Sequence, residues 1–419
     1  MATIKVSVGN YVNYSPPAGV PTVTGSDPSY DVTWTSAVNA SVEVGMFWED
    51  SGTPGDFYLV TAISADRLTV TVRDQVIDKA PISTINVNGF FHAFTTIMTA
   101  EAAIATWAVA GDTYVVECHQ EGAMPITETG GGFADTTLGT SGTFKITVAD
   151  GEWHQGVPGS GFRWTTTATN WMLWSNQAEA SCPNQIIERL EIIGKTTTTT
   201  HQYGIKIDED GAGAQRTVLR NLILRDFANT STTSKVAWGI HIGANADNGV
   251  RIENCLLYNI LRTGTNGTSR AIAIDGDNAL VYNCAGYNIT DEGFWEGAAT
   301  TLPIAKNCAV MTAGTCYSGG WNTASTNNGS SDATAPDNGG LNPSYESLTA
   351  ANEWTTPGSD FHVKRATSVG LLNHGVDLSG TFTDDISGAT RTVTWDIGVF
   401  AATAMAAIVA HTYRQRRIS

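Results

Sequence analysis

Tyr203-Gly204-Ile205-Lys206-Ile207, Trp238-Gly239-Ile240-His241-Ile242 and Arg270-Ala271-Ile272-Ala273-Ile274 are near-copies of one short segment. Each is followed by a turn and a second segment: Arg220-Asn221-Leu222-Ile223-Leu224, Glu253-Asn254-Cys255-Leu256-Leu257 and Tyr282-Asn283-Cys284-Ala285. A fourth copy reads Gly293-Phe294-Trp295-Glu296, then Lys306-Asn307-Cys308-Ala309-Val310. The asparagines set the period: 33 residues from 221 to 254, 29 from 254 to 283 and 24 from 283 to 307. A unit of about 20 to 50 residues that recurs with variable insertions marks a stacked-repeat architecture, because one unit cannot bury its apolar face alone. Apolar and polar residues alternate with period two, the pattern of a half-buried strand. No helical period lies between the segments. This excludes alternating βαβ units and predicts an all-β chain wound as a parallel β-helix.

Side chains at equivalent positions of successive coils lie about 4.8 Å apart. Asn221, Asn254, Asn283 and Asn307 therefore read as a structural ladder whose carboxamides hydrogen-bond from coil to coil. Cys255, Cys284 and Cys308 each follow a ladder asparagine and point the other way, as small core thiols. Cys118, Cys182 and Cys316 complete the set. None belongs to a C-x-x-C pair, so no metal site and no cofactor is expected.

The 419 residues have room for two or three domains. With 43 glycines and only 15% charged residues, the composition is that of a turn-rich all-β protein. A net charge of −17 leaves no nucleic-acid footprint and keeps the surface soluble. The start, Met1-Ala2-Thr3-Ile4-Lys5-Val6, lacks the apolar core of a signal peptide, which predicts synthesis in a host cytoplasm. No apolar run approaches about 18 residues, so no membrane span is predicted.

Residues 1–90 read as a small β-sandwich or barrel, with a hairpin from Asp56-Phe57-Tyr58-Leu59-Val60 to Arg67-Leu68-Thr69-Val70-Thr71-Val72. They hold no cluster of histidine, cysteine or paired acids, so attachment or assembly is their expected role. Residues 91–345 are the coil. It opens on a helix, Thr99 to Trp107 with Thr99 as N-cap, and a strand, Gly111-Asp112-Thr113-Tyr114-Val115-Val116-Glu117. Gly130-Gly131-Gly132 reads as a loop, and residues 321–345 as a low-complexity loop or linker. Residues 346–400 form a closing β segment ending in Trp395-Asp396-Ile397-Gly398-Val399-Phe400. Residues 401–419 read as a short C-terminal helix that caps the last coil or pairs with another subunit.

The opening helix with its Gly-Asp-Thr strand resembles the start of right-handed, single-stranded parallel β-helix proteins of the pectate-lyase-like type. In those proteins the helix covers the open first coil, which would otherwise invite strand addition. The closing Trp-Asp-Ile-Gly phrase is similar to one that ends many such proteins from phages and environmental bacteria. Val399 and Ala401 depart from the small and acidic residues usual there. The resemblance covers residues 90–400 and implies a tailed-phage virion component: a capsid decoration, head fibre or tailspike, homotrimeric by analogy.

A β-helix can also carry polysaccharide cleavage, which needs two carboxyl groups about 5 to 9.5 Å apart. Asp275 and Asp277 flank Gly276 at a strand end. Asp208, Glu209 and Asp210 sit one repeat earlier, and Asp291, Glu292 and Glu296 one repeat later. The same positions suit turn chemistry. The hydrolase Asn-Thr-Asp, Gly-His-Gly and Arg-Ile-Lys motifs are missing, and Arg262 and Arg270 read as part of an insertion loop. His241 alternates with Ile240 and Ile242, so it faces outward. Trp153, Trp164, Trp171 and Trp174 form a cluster that either packs in the core or offers a sugar platform. The first expectation is a structural virion protein that docks on other virion proteins, capsid or tail, through residues 1–90. The second is a polysaccharide-degrading enzyme, such as a tailspike depolymerase, or a carbohydrate-binding adhesin that meets host surface polysaccharide.

Overall fold

The computed structural model describes residues 3–8, 22–26, 29–40, 42–50, 57–74, 87–92, 97, 99–101, 104, 111–120, 125–128, 131–133, 142–166, 171–175, 184–208, 216–244, 246, 249–297, 299–391 and 394–401. Among them the chain is nearly all β and winds into a parallel β-helix with three faces. The first face is an unbroken parallel ladder. It runs from Thr3–Val8 and Thr113–Cys118 through Thr143–Val148, Asn184–Glu188, Arg216–Arg220, Arg251–Glu253 and Leu280–Tyr282 to Ile304–Lys306. The second face stacks Glu191–Ile193, Ile223–Asn229, Leu256–Arg262, the start of Ala285–Glu296 and the start of Ala309–Ser318. The third stacks Trp171–Ser175, Gln202–Ile207, Val236–Ile242, Thr268–Ile274 and the end of Ala285–Glu296.

Four sequence expectations change. Thr3–Val8, counted with residues 1–90, pairs residue for residue with Thr113–Cys118 and so belongs to the first face. Ile97 is already helical, so Thr99 lies inside the opening helix rather than at its cap. The helix's buried Ile97, Ala100 and Ile104 join Val6, Val8 and Tyr114 in the core. Gly131–Phe133 is a strand paired with Trp171–Ser175, not a loop. The polar tract 321–345 is no linker, because Asn328–Ser330 and Ser344–Tyr345 add two strands to the second face. The buried Asn328 is held at both ends of its carboxamide: Cys308 N donates to Asn328 Oδ1 (3.1 Å), and Asn328 Nδ2 donates to Ala305 O (2.9 Å). The tail predicted as a helix lies outside the described residues beyond Ala401.

The interior is a set of like-on-like columns, such as Ile205, Ile240, Ile272 and Phe294. Gly204 explains its own place in the repeat. A Cβ there would meet Gly239 O at 2.6 Å and Leu224 Cδ2 at 2.8 Å, so only a small residue fits where this face turns inward.

The corner between the first two faces is the recurrent element. Arg189, Asn221, Asn254, Asn283, Asn307 and Asn327 occupy it with φ of 66°, 52°, 49°, 50°, 55° and 55°. This left-handed conformation disfavours most L-residues, and asparagine tolerates it best after glycine. The ladder is continuous in conformation but not in hydrogen bonding. Asn254 Nδ2 donates to Asn221 Oδ1 (3.1 Å) and to Asp384 O (3.1 Å). Asn307 instead grips Val376 on both sides, at 2.7 Å each way, and Asn327 donates to His374 O (2.6 Å). The Asn283 carboxamide bonds neither neighbour. Cys255, Cys284 and Cys308 are fully buried with their thiols turned to inner carbonyls. Burial, then the adjacent Cys255 thiol, pushes Cys284 well above the usual thiol range, and burial, then the Cys284 thiol, does the same to Cys308.

Residues 346–400 run back across the outside of the second face. That face presents Ile223, Leu256, Tyr258, Ala285, Ala309 and Met311, and the returning chain covers them with Leu348, Trp354, Phe361, Leu371, Ile397 and Phe400. The buried Arg391 guanidinium fixes the end of this strap. It donates to Gly398 O (2.9 Å) and, at 3.4–3.5 Å, to the carbonyls of Asp384, Asp396 and Phe400, with Trp395 at 5.2 Å.

The β-domain ahead of the coil is a six-stranded antiparallel sheet, Thr22–Ser26 to Val87–His92, packed on Trp34, Trp48 and Tyr58. It meets the first face where Ser7 N donates to Gly45 O (2.9 Å). Beside this contact His119 lies 3.3 Å from Glu117, 3.6 Å from Glu43 and 3.7 Å from Glu152. Burial alone would lower its pKa, but the three carboxylates outweigh burial and hold it up to about 9.

Two outcomes follow for stability. Asn254→Ala loses the tolerated left-handed corner and two hydrogen bonds, at a cost of about 2–4 kcal/mol in denaturant unfolding, and Asn254→Gly loses less because the backbone is spared. The folded His119 pKa lies above its unfolded value of about 6.5. Its stabilisation is therefore complete below that pH and lost as pH rises through 9. Thermal midpoints should fall across this window in the wild type and stay flatter in His119→Gln.

Candidate functional site

Outward positions of the third face form two adjacent columns. Strand register aligns Trp171, Tyr203, Trp238, Arg270 and Glu292 in one, and Trp174, Lys206, His241, Ala273 and Trp295 in the other. The tryptophans and Tyr203 are half-buried, each keeping part of its ring open to solvent. Arg270 lies on the strand Thr268–Ile274, in keeping with the third repeat segment and not with a loop shared with Arg262, which itself ends the strand Leu256–Arg262. The preceding polar run gives no mark of where that strand begins.

The rings and charges lock one another. The Arg270 guanidinium lies 3.5 Å from the Trp295 ring centre and 4.8 Å from that of Trp238, while its Nε donates to Glu292 (2.6 Å). Ala273, between His241 and Trp295 in its column, leaves the space into which these rings lean. His241 packs against Trp238 (4.8 Å) and Tyr203 (5.5 Å), and Trp171 against Trp174 (4.7 Å). Such contacts are worth about 0.5–1.5 kcal/mol each and pre-order the rings before any ligand arrives.

Two carboxylates border the columns. Asp208 pairs with Lys206 Nζ (2.5 Å), and Asp275 Oδ2 lies 3.1 Å from His241 Nε2. The acids follow Ile207 and Ile274 at the same register position, two coils apart rather than the one repeat expected from sequence, because Gly243 takes the place between them. Their backbones are thus about 10 Å apart along the axis. A side chain at Gly243 would run into the Asp208 carboxylate, so the glycine keeps the gap open. Burial, with Asp208 and then Asp275 nearby, raises the Tyr203 pKa and keeps its phenol a neutral hydroxyl close to both acids.

The two banks differ. On one side the polar segments 229–234 and 262–269 stack on each other: Asn266 Nδ2 donates to Thr232 O (2.6 Å), and Thr268 Oγ1 accepts from Trp238 Nε1 (3.0 Å). Asp208 and Asp275 border the other side.

The remaining acids singled out in the sequence are engaged elsewhere. Asp277 caps the turn at Thr300 and Thr301. Asp291 takes Arg262 through three hydrogen bonds of 2.6–3.1 Å and also accepts from Ser269 N (2.8 Å). Glu296 accepts from Ala299 N (3.0 Å) and Gly320 N (2.7 Å). Glu209 and Asp210 lie outside the described residues. Of the four clustered tryptophans, Trp164 is fully buried, Trp153 is nearly so, and Trp171 and Trp174 open onto the third face. The corner asparagines and stacked cysteines lie away from this face.

No family model matches the chain, and no curated protein matches it. Among solved structures, the tailspike protein gp49 from Pseudomonas phage LKA1 is similar over 82% of this chain and 70% of its own. The identity is 11% and the TM-score 0.15, values that carry no argument about function.

Asp291→Asn should lower stability by about 1–2 kcal/mol, because Arg262 loses its charged partner. Asp275→Asn, on the partly open bank, should stay within about 0.5 kcal/mol of wild type in the same denaturant titration.

Proposed function

We propose that this chain is a surface component of a tailed-phage particle, a spike or fibre that holds host polysaccharide along its third face. One observation carries the reading: a pre-ordered strip of Trp171, Trp174, Tyr203, Trp238 and Trp295, interleaved with Lys206, His241 and Arg270. Sugar rings present apolar C–H faces and hydroxyl edges. Partly exposed indoles take the first, and the donors Lys206 and Arg270 with the carboxylates beside them take the second. Successive coils repeat the aromatic position at strand spacing, which suits a linear polymer lying along the axis.

The phage assignment rests on the resemblance of the opening Gly111-Asp112-Thr113 strand and the closing Trp395-Asp396-Ile397-Gly398 phrase. On this reading residues 1–90 attach the coil to other virion proteins, and the chain assembles as a homotrimer. A purely decorative role leaves the strip without a task. A second reading, hydrolysis of the bound polymer, is favoured by the placement of Asp208 and Asp275. Their backbones stand about 10 Å apart, just beyond the roughly 6.5–9.5 Å over which two carboxyl groups act with a water between them, and the Asp208 carboxylate reaches toward Gly243 in the gap.

Tryptophan fluorescence during titration with host surface polysaccharide tests the first reading. Trp238→Ala and Trp295→Ala should each weaken binding about tenfold, or about 1.4 kcal/mol. Unchanged affinity in both would overturn it. Release of reducing ends that Asp208→Asn and Asp275→Asn each abolish, with binding kept, would establish the second.

A further inference from the structure

Beyond the last outward tryptophan of the strip, the third face gives way to a cavity of about 610 Å³. Ser318 is the register partner of Trp295, and its two chain neighbours, Tyr317 and Gly319, line the cavity. Its size falls in the range of small-molecule sites. The wall is aromatic: Trp321 stands edge-on to Tyr317 at 5.8 Å, and Tyr317 is anchored by its hydroxyl to Cys308 O (3.0 Å). Trp321 Nε1 is shielded and has no acceptor among the described residues. The segment 333–340, with Asp337, and Glu346 also line the cavity.

The charge is one-sided. Asp337 and Glu346 both line the cavity, and no lysine or arginine does. Asp332 stands behind them, held by Thr334 and Cys316 N. Burial, then Asp337 and Asp332, lifts the Glu346 pKa, as expected where like charges gather without a counter-ion. An aromatic wall with acids around it attracts a cation by its ring face and by Coulomb forces together. Asn322 and Thr323 add groups that pair with hydroxyls.

We propose that this cavity binds a protonated amino sugar, with the ammonium between Asp337 and Glu346 and the ring against Trp321. The inference deepens the glycan reading by naming a substituent of the ligand, but the cavity is tested apart from the strip.

The probe is glucosamine, titrated at pH 6 into the full chain by isothermal calorimetry or saturation-transfer NMR, beside glucose and N-acetylglucosamine. Glucosamine should bind at least tenfold more tightly than either neutral sugar. Glu346→Gln and Asp337→Asn, both at the surface, should each remove most of that preference, and Trp321→Ala should remove binding to all three. Trp238→Ala should leave glucosamine affinity unchanged. Equal binding of the three sugars, no binding of glucosamine, or a glucosamine preference that survives both acid substitutions would overturn the assignment. Loss of polysaccharide binding in Trp238→Ala alone bears on the strip and not on the cavity.

Discussion

The structure depends on a bend that every coil must make at the same place. A strand of the first face has to turn into a strand of the second within two residues, and the geometry puts one of them in the left-handed region. Asparagine fills that place four times in the regular coils because its short polar side chain tolerates the conformation. Once the bend is fixed, the register of both flanking strands is fixed with it. The like-on-like columns of isoleucine, leucine and cysteine inside follow from that register. A coil with a different corner would shift its strand by one residue and turn its apolar set outward.

The corner carboxamides also explain how the fold closes. A ladder satisfied only within itself would leave the outside of the second face bare. Instead Asn221, Asn254, Asn307 and Asn327 each give hydrogen bonds to the returning strap. The strap brings apolar residues onto Ile223, Leu256 and Met311. Arg391 holds its end by bonds to carbonyls rather than to a carboxylate, and burial lowers the guanidinium pKa to about 10, still charged at neutral pH. His154, fully buried, contributes from the opposite side. Burial drops its pKa to about 3, so it remains a neutral ring that bridges Asn221 O (2.9 Å) and Gly156 N (2.9 Å). The corner at Asn221 is therefore clamped by both His154 and the strap.

This division explains what could be read from the sequence. The coil was legible because strand alternation and the asparagine period are local signals, carried by residues such as Tyr203-Gly204-Ile205 and Glu253-Asn254-Cys255. The strap was not, since apolar outward residues merge with inward ones: Leu222-Ile223-Leu224 reads as one run, and only a covering layer tells its two sides apart. A second left-handed column, Asp226, Asn259 and Asn288, was missed for lack of a flanking motif, although Asn259 and Asn288 bond in sequence up the coil at 2.9 and 2.8 Å. The outward column of Tyr203, Trp238 and Arg270 had a usable signal. Each stands one residue before the small position of the repeat, where a residue facing solvent has no structural reason to be aromatic.

The three faces have different freedoms, which bears on where binding chemistry can arise. Outward positions of the first face are largely taken up by alternating charges such as Glu188, Arg220 and Glu253, and those of the second by the strap. Third-face outward positions have neither obligation, so their residues are set by what they meet outside. There the charges come in pairs, Lys206 with Asp208 and Arg270 with Glu292, while the His241 ring lies against Asp275, and each of these contacts lies beside a ring. Paired charges add little attraction for a simple ion, because each is already neutralised across a short distance. They hold the rings in place and present donors and acceptors side by side, which suits a neutral, hydroxyl-rich polymer better than a charged one. The unpaired acids of the cavity beyond Ser318 depart from this pattern, and a cation there would complete the charge balance that the strip achieves within itself.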